Sequence, residues 1–391
     1  MKKAFIAVLG FYLFFHILGP YFYQLKYGFI HYLRQPFDLK SINLVVLMNT
    51  IVILLAILII LVIPGKKKTE IIKLKGIFPL YIFSLAFSYL ALFIFKGFSG
   101  ILAGSANGTF FSYASMFLNS GVLLFLLLAG TENKAMFIGS ASLFVIVRSF
   151  GGSRSSVLSV IIIILMLFAT KDLKKMIKPA IVFLSIGIVL TPFLFFWATY
   201  QRNGYLEKNK VGYFMEIVVQ RISHLESGAI PVFNKNSIGE NLQIFYEKYG
   251  IVKQSKLALN AMVPGDIFLP DVDPNQYYRS AFLGYSEELS SSYYTSINMT
   301  LPVYFFMYGN VFFSILISLA LILALYALSH VFPDRLKVFN FAFLLILYEL
   351  LTYFDFVMVV RRFLYIVCTI SLAVIISMIY QFITSRHKRI T

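Results

Sequence analysis

The chain has 391 residues, of which 59% are hydrophobic and 13% charged, against about 45–50% and about 25% in an ordinary soluble domain. That much apolar surface cannot be hidden in a water-soluble core of this length, which excludes a cytosolic enzyme and a disordered chain and makes lipid the solvent. A single cysteine, Cys368, excludes a disulfide framework and any cysteine-based metal site. The net charge of +17 would suit nucleic acid. Lys and Arg are grouped between apolar runs, however, which is how the positive-inside rule distributes them in a membrane protein.

In chain order, apolar segments fall at roughly 4–24, 43–64, 76–96, 110–130, 135–149, 155–170, 179–200, 301–330, 339–360 and 363–383. Most reach the roughly 20 residues that cross about 30 Å of hydrocarbon. They predict an all-α polytopic membrane protein with about ten transmembrane helices. Residues 1–200 carry seven of these and residues 301–391 three, with a polar loop over 201–300 between them. The N-terminus (Met1, Lys2, Lys3, then an apolar run) resembles a signal peptide, but no small-residue cleavage site follows, so it is read as a first helix.

Orientation follows from the basic residues. With the N-terminus in the cytoplasm, inside segments hold Lys2 and Lys3; Lys66, Lys67, Lys68, Lys73 and Lys75; Lys134; Lys171, Lys174, Lys175 and Lys178; Arg335 and Lys337; and Arg386, Lys388 and Arg389. These are half of the 34 basic residues, and the loop 201–300 then falls outside. It holds more than half of the acidic residues and is too long for a mere connector, which favours a functional element capping the bundle.

Arg148, Arg154, Arg361 and Arg362 break the charge rule by lying at outer helix ends. Arg148 and Arg154 flank Ser149, Phe150, Gly151, Gly152 and Ser153. The spans on either side are only about 15 residues, or roughly 22 Å, so the turn is expected to be recessed. Glycines admit close backbone approach and Arg offers a planar fork for phosphate oxygens, which makes the turn a candidate anion site. Glu349 and Asp355 are intramembrane carboxylates, costly unless functional or paired. Asp355 is expected to pair with Arg361 or Arg362, and Glu349 to be neutral and hydrogen-bonded.

Within the loop, residues 211–230 read as an amphipathic helix. Met215, Val218, Ile222, Leu225 and Ala229 form an apolar stripe suited to the membrane face, and Pro231 ends the helix. Arg221 and His224, three apart, would then reach one ligand. Farther on, Asp271, Asp273, Tyr277, Tyr278 and Arg279 mix aromatics with charges in a way that suits a sugar. His16, His31, His330 and His387 lack clustered ligands in the sequence, so no metal site is expected. No nucleotide-binding fingerprint occurs either.

Four segments in order resemble the O-antigen and oligosaccharide repeat-unit polymerases, the Wzy family. Arg148–Ser156 (R-S-F-G-G-S-R-S-S) resembles the family's G-S-R turn, and Gln220–Ala229 (Q-R-I-S-H-L-E-S-G-A) its R-x-S-x-L-E/D element. Pro264–Pro274 is similar to its Pro-rich stretch, and Leu301–Asn310 (L-P-V-Y-F-F-M-Y-G-N) to its aromatic pre-helix segment. Many members have an acid just before those aromatics. Here the acids lie earlier, at Glu287 and Glu288, which leaves the catalytic carboxylate open.

The resemblance implies a GT-C-like helical bundle in the bacterial inner membrane, with its active site and large loop facing the periplasm. It implies substrates that are oligosaccharide repeat units on undecaprenyl pyrophosphate, with a chain-length regulator as a further partner and no cofactor or metal. Pyrophosphate is the leaving group, so cationic stabilisation should be the largest catalytic contribution; Arg148, Arg154, Arg221 and Arg279 are the candidates. Glu226, His224, Glu287 and Asp355 compete as general base. The same features admit an O-antigen ligase, which differs in its acceptor, and less well a flippase or other transporter. A membrane acyltransferase would need His16 or His330 as its catalytic histidine.

Overall fold

A computed structural model describes residues 1–28, 37–64, 74–87, 118–150, 156–171, 219, 223–235, 299–352 and 356–390, with isolated positions at 178, 181, 182 and 185. Every regular element among the described residues is helical. Four helices there are long and apolar enough to cross a membrane: Lys2–Tyr27, Leu39–Val62, Val311–Leu328 and Val359–Ser385. Shorter apolar helices cover Ile77–Phe87, Ser120–Gly130 and Leu158–Ala169. The chain is a multi-pass helical membrane protein.

The first span consists of α1 (Lys2–Tyr12), a wide π-helical turn (Leu13–Leu18) and α2 (Gly19–Tyr27). It is followed by α3 (Leu39–Val62), α4 (Ile77–Phe87), α5 (Ser120–Gly130), α6 (Lys134–Phe150) and α7 (Ser156–Met166). After these come α8 (Leu225–Phe233), α9 (Leu301–Tyr308), α10 (Val311–Leu328), α11 (Asn340–Thr352) and α12 (Phe356–Ile390). Short polar residues start several of them. The Asp38 carboxylate accepts the Ser41 amide at 2.8 Å and its hydroxyl at 2.6 Å, and Asn119, Asn133 and Asn310 cap α5, α6 and α10. α3 stops where Ile63 turns extended ahead of Pro64, because a residue before proline is driven out of the α region.

The Lys2 ammonium reaches across to the carbonyls of Leu61 and Ile63 at 2.7 and 2.8 Å, so α1 and α3 run antiparallel, with a cation closing the negative end of α3. The Lys171 ammonium likewise donates to the Thr131 carbonyl, and the Lys75 amide to the Ser377 hydroxyl at 2.9 Å. α5 is apolar all round, and residues 122–129 are buried on every face, with Phe125 packed on Phe341 of α11 at 5.3 Å between ring centroids. Helix packing in lipid rests on such close van der Waals fit, because lipid tails are as apolar as leucine.

Three expectations are corrected. The run 301–330, expected as one span, is broken at Gly309–Asn310. A side chain at Gly309 would meet the Phe313 ring at 2.7 Å, and the Asn310 carboxamide caps the new helix at the Phe313 amide. Second, the helix expected over 211–230, of which 219 and 223–230 are described, is not continuous. Ser223 and His224 are non-helical, α8 starts at Leu225, and Pro231 lies inside it, two residues short of its end. Leu225 and Ala229 are fully buried against the bundle. Gly228 lies so close to α3 and α9 that a Cβ there would come within 3.1 Å of Val45 and 3.3 Å of Val303. Third, Arg361 and Arg362 do not end a helix. α12 begins at Phe356 and runs through both to Ile390, and α11 stops at Thr352.

Candidate functional site

The first helix carries its own irregularity. In an α-helix the His16 carbonyl would accept the amide of residue 20, but that residue is Pro20, which has none. The chain widens to i→i+5 bonding just before it: the Gly19 amide donates to the Phe14 carbonyl. Single π-turns of this kind concentrate at functional sites. The His16 carbonyl is taken by a distant donor, the His224 amide at 3.3 Å.

The side chains join the same pair. His16 and His224 are 2% and 3% exposed, and their rings meet edge to face with centroids 4.9 Å apart. The Tyr348 hydroxyl of α11 lies 2.8 Å from His16 Nε2, with the donor set by the histidine tautomer. Tyr12, one turn before His16, stacks on it at 5.5 Å and meets His224 at 6.2 Å. Its hydroxyl donates to Asn49 Oδ1 at 3.4 Å, and the Asn49 amide donates to the Val45 carbonyl at 2.8 Å and the Thr300 hydroxyl at 3.1 Å. Six segments therefore converge through buried polar groups: the end of α1, the π-turn, α3, α11 and the residues leading into α8 and α9. Burial holds the His224 imidazole well below its ordinary pKa, the nearby His16 lowers it further, and a hydrogen bond to the Thr352 backbone opposes both. The arrangement favours a neutral imidazole.

A second charged group lies beside it. Glu349 follows Tyr348 in α11 and forms an ion pair with Arg362 of α12, in place of the expected neutral Glu349; the expected partner Asp355 lies outside the described residues. Arg361 Nε donates to the Tyr365 hydroxyl at 2.9 Å.

Of the predicted site residues, Glu226 is half-buried in the first turn of α8, where a carboxylate suits the positive helix end. His224 is brought into the bundle against His16 and is not displayed on a polar stripe. Arg148 is exposed in the last turn of α6, with its guanidinium 5.9 Å from the Phe144 ring centroid. Arg154, Arg221, Arg279, Glu287, Asp355, Asp271, Asp273, Tyr277 and Tyr278 lie outside the described residues. Among the described residues no group of three or more His, Cys, Asp or Glu could hold a metal ion.

Sequence reasoning passed over His16 and Tyr348. One signal for His16 was available, a histidine four residues before a proline inside an apolar helix. Tyr348 had no such signal, since its partner is 332 positions away. Comparison with known protein families, with functionally described proteins and with solved structures returns no match.

Proposed function

We propose that the chain is a glycosyltransferase of the O-antigen polymerase type, joining oligosaccharide repeat units carried on undecaprenyl pyrophosphate at the periplasmic face of the inner membrane. The observation that carries this reading is the seating of the R-x-S-x-L-E-like element. Its residues Ser223–Ala229 are docked into the helical bundle beside a buried histidine pair, although they sit in a long polar loop of the sequence. An element tied to the bundle in this way can hold chemistry at the lipid boundary, where a lipid-linked sugar presents its pyrophosphate.

In the reaction, the bond from the donor sugar's anomeric carbon to the pyrophosphate oxygen breaks, and a bond from that carbon to an acceptor hydroxyl oxygen forms. The hydroxyl proton passes to a carboxylate, and undecaprenyl pyrophosphate leaves. Arg154 and Arg221, with Arg148 and Arg279, are assigned to the developing charge on the pyrophosphate. Glu226 is the preferred base, with Glu287 and Asp355 as alternatives. His224, buried and neutral, is better suited to holding the segment in place.

The test is a gel of surface polysaccharide from a strain lacking the gene, complemented with the wild type, Arg154→Ala or Arg221→Ala. A polymerase predicts that the ladder collapses to core bearing a single repeat unit, that the wild type restores it, and that each variant lowers polymer output at least about 100-fold. Complete loss of the modified band would assign the chain to ligation or flipping, and an unchanged ladder would end the reading.

A further inference from the structure

We propose that the π-turn of the first helix is a built socket for the segment 223–229, and that His16, Pro20 and Tyr348 are positioning residues for the Glu226 carboxylate. The proposal rests on the transferase reading above.

The socket is prepared on both sides. On the helix side, Pro20 removes the α-type donor to the His16 carbonyl, and the wider turn leaves that carbonyl to the His224 amide at 3.3 Å. Tyr348 fixes the His16 ring from the other side at 2.8 Å. On the segment side, Leu225 and Ala229 are fully buried, and Gly228 has no side chain where Val45 and Val303 close in. With His224 held through its backbone and Leu225 turned inward, the helical rotation of about 100° per residue sets the direction of Glu226. A reacting group displaced by about 1 Å can cost a hundredfold in rate, so the socket governs turnover without touching substrate. Among the described residues, Tyr12 and Tyr348 are titratable groups against the pair, and Glu349 beyond them is engaged by Arg362.

Docking can be read without reference to activity. In a Cys368→Ser background, Val45→Cys with Gly228→Cys places two thiols within disulfide reach, and the smaller side chain at 45 makes room for the new one at 228. Adding Pro20→Ala supplies an amide that competes for the His16 carbonyl, and it favours helix, so the fold is kept. The rate of disulfide formation in membranes should fall about three- to tenfold, the loss expected of one hydrogen bond. Polymerisation of undecaprenyl-pyrophosphate-linked repeat units extracted from the deletion strain should show a lower kcat with little change in KM. Oxidising the cross-link should restore it. Tyr348→Phe should act in the same direction, and His16→Gln, which keeps a hydrogen-bonding group for Tyr348, should be the milder variant. An unchanged cross-linking rate in Pro20→Ala overturns the socket. A kcat loss that the cross-link does not rescue overturns the positioning role. If the parent forms no polymer while Pro20→Ala still slows cross-linking, the transferase reading and the positioning role fall and the socket stands.

Discussion

The ammonium of Lys235, just past α8, lies 3.8 Å from the centroid of the Phe306 ring and donates to the carbonyls of Phe306, at 2.8 Å, and Gly309. The chain just past α8 is thereby fastened to the C-terminal turn of α9, where a cation suits the helix dipole. Burial lowers the pKa of this ammonium below its ordinary value. Lys235→Met keeps the aliphatic stem and removes the charge. Stability of the solubilised protein should fall by about 1–2 kcal/mol, and the Gly309 amide, bonded to the Phe306 carbonyl, should exchange its hydrogen faster. Exchange unchanged at Gly309 would refute the clasp.

The Glu349–Arg362 pair joins α11 to α12 with both side chains only partly exposed, 27% and 38%. Removing one partner takes away the other's counter-charge, whereas removing both leaves no charge to desolvate. Glu349→Gln and Arg362→Gln should each destabilise by more than the double variant. The cycle, read from unfolding midpoints, should give a coupling of at least about 1 kcal/mol. Additive effects would show that the pair is incidental.

His224 is held neutral by burial, so its folded pKa lies below the unfolded value of about 6.5. The sign is that of a depressed base: the stabilisation is fully present above the unfolded pKa and is lost as pH falls below about 6.5 toward the folded value. Unfolding followed at pH 8, 6.5 and 5 should therefore show falling stability in the acid arm, at no more than about 1.4 kcal/mol per pH unit for one proton. His224→Gln should flatten that arm. An identical slope in the variant would place the titration elsewhere.

Lys2 and Lys171 each contact a helix end or turn, at Ile63 and Thr131, and the Lys75 amide meets Ser377 within α12. By the antiparallel run of α1 and α3, Tyr21 and Asn43, 2.8 Å apart, mark the end opposite Lys2. Single cysteines placed at Lys3 and Lys134 in a Cys368→Ser background should be protected from an impermeant maleimide in intact cells. Cysteines at Lys40 and Asn234 should react. The reverse pattern would invert the orientation and remove the periplasmic assignment.

Much of the bundle was legible because its signal is local. The apolar run at 4–24 falls inside helix Lys2–Tyr27, the run at 43–64 overruns helix Leu39–Val62 by two residues, and the two short spans flanking Gly-Gly-Ser-Arg appear as Lys134–Phe150 and Leu158–Ala169. The break at Gly309–Asn310 was hidden, because an apolar run looks the same whether it is one helix or two, and Asn310 acts only by capping. The site was illegible for another reason. His16, His224 and Tyr348 are far apart in sequence, and no spacing rule links a first helix to a loop; only Pro20 hinted that one carbonyl would need an outside donor. Likewise Arg362 finds Glu349 across a helix pair, a pairing that periodicity cannot predict.

The Pro20 device also bears on the order in which the protein is made. The first helix enters the membrane about two hundred residues before His224 is synthesised, a wait of roughly 10–40 s at typical elongation rates. During that time Pro20 gives its His16 carbonyl no α-type donor. Synthesis of residue 224 then supplies the amide that meets this carbonyl at 3.3 Å. Pro20 thus separates two contacts in time: the helix is made first, and its bond to the loop segment comes only with a later part of the chain.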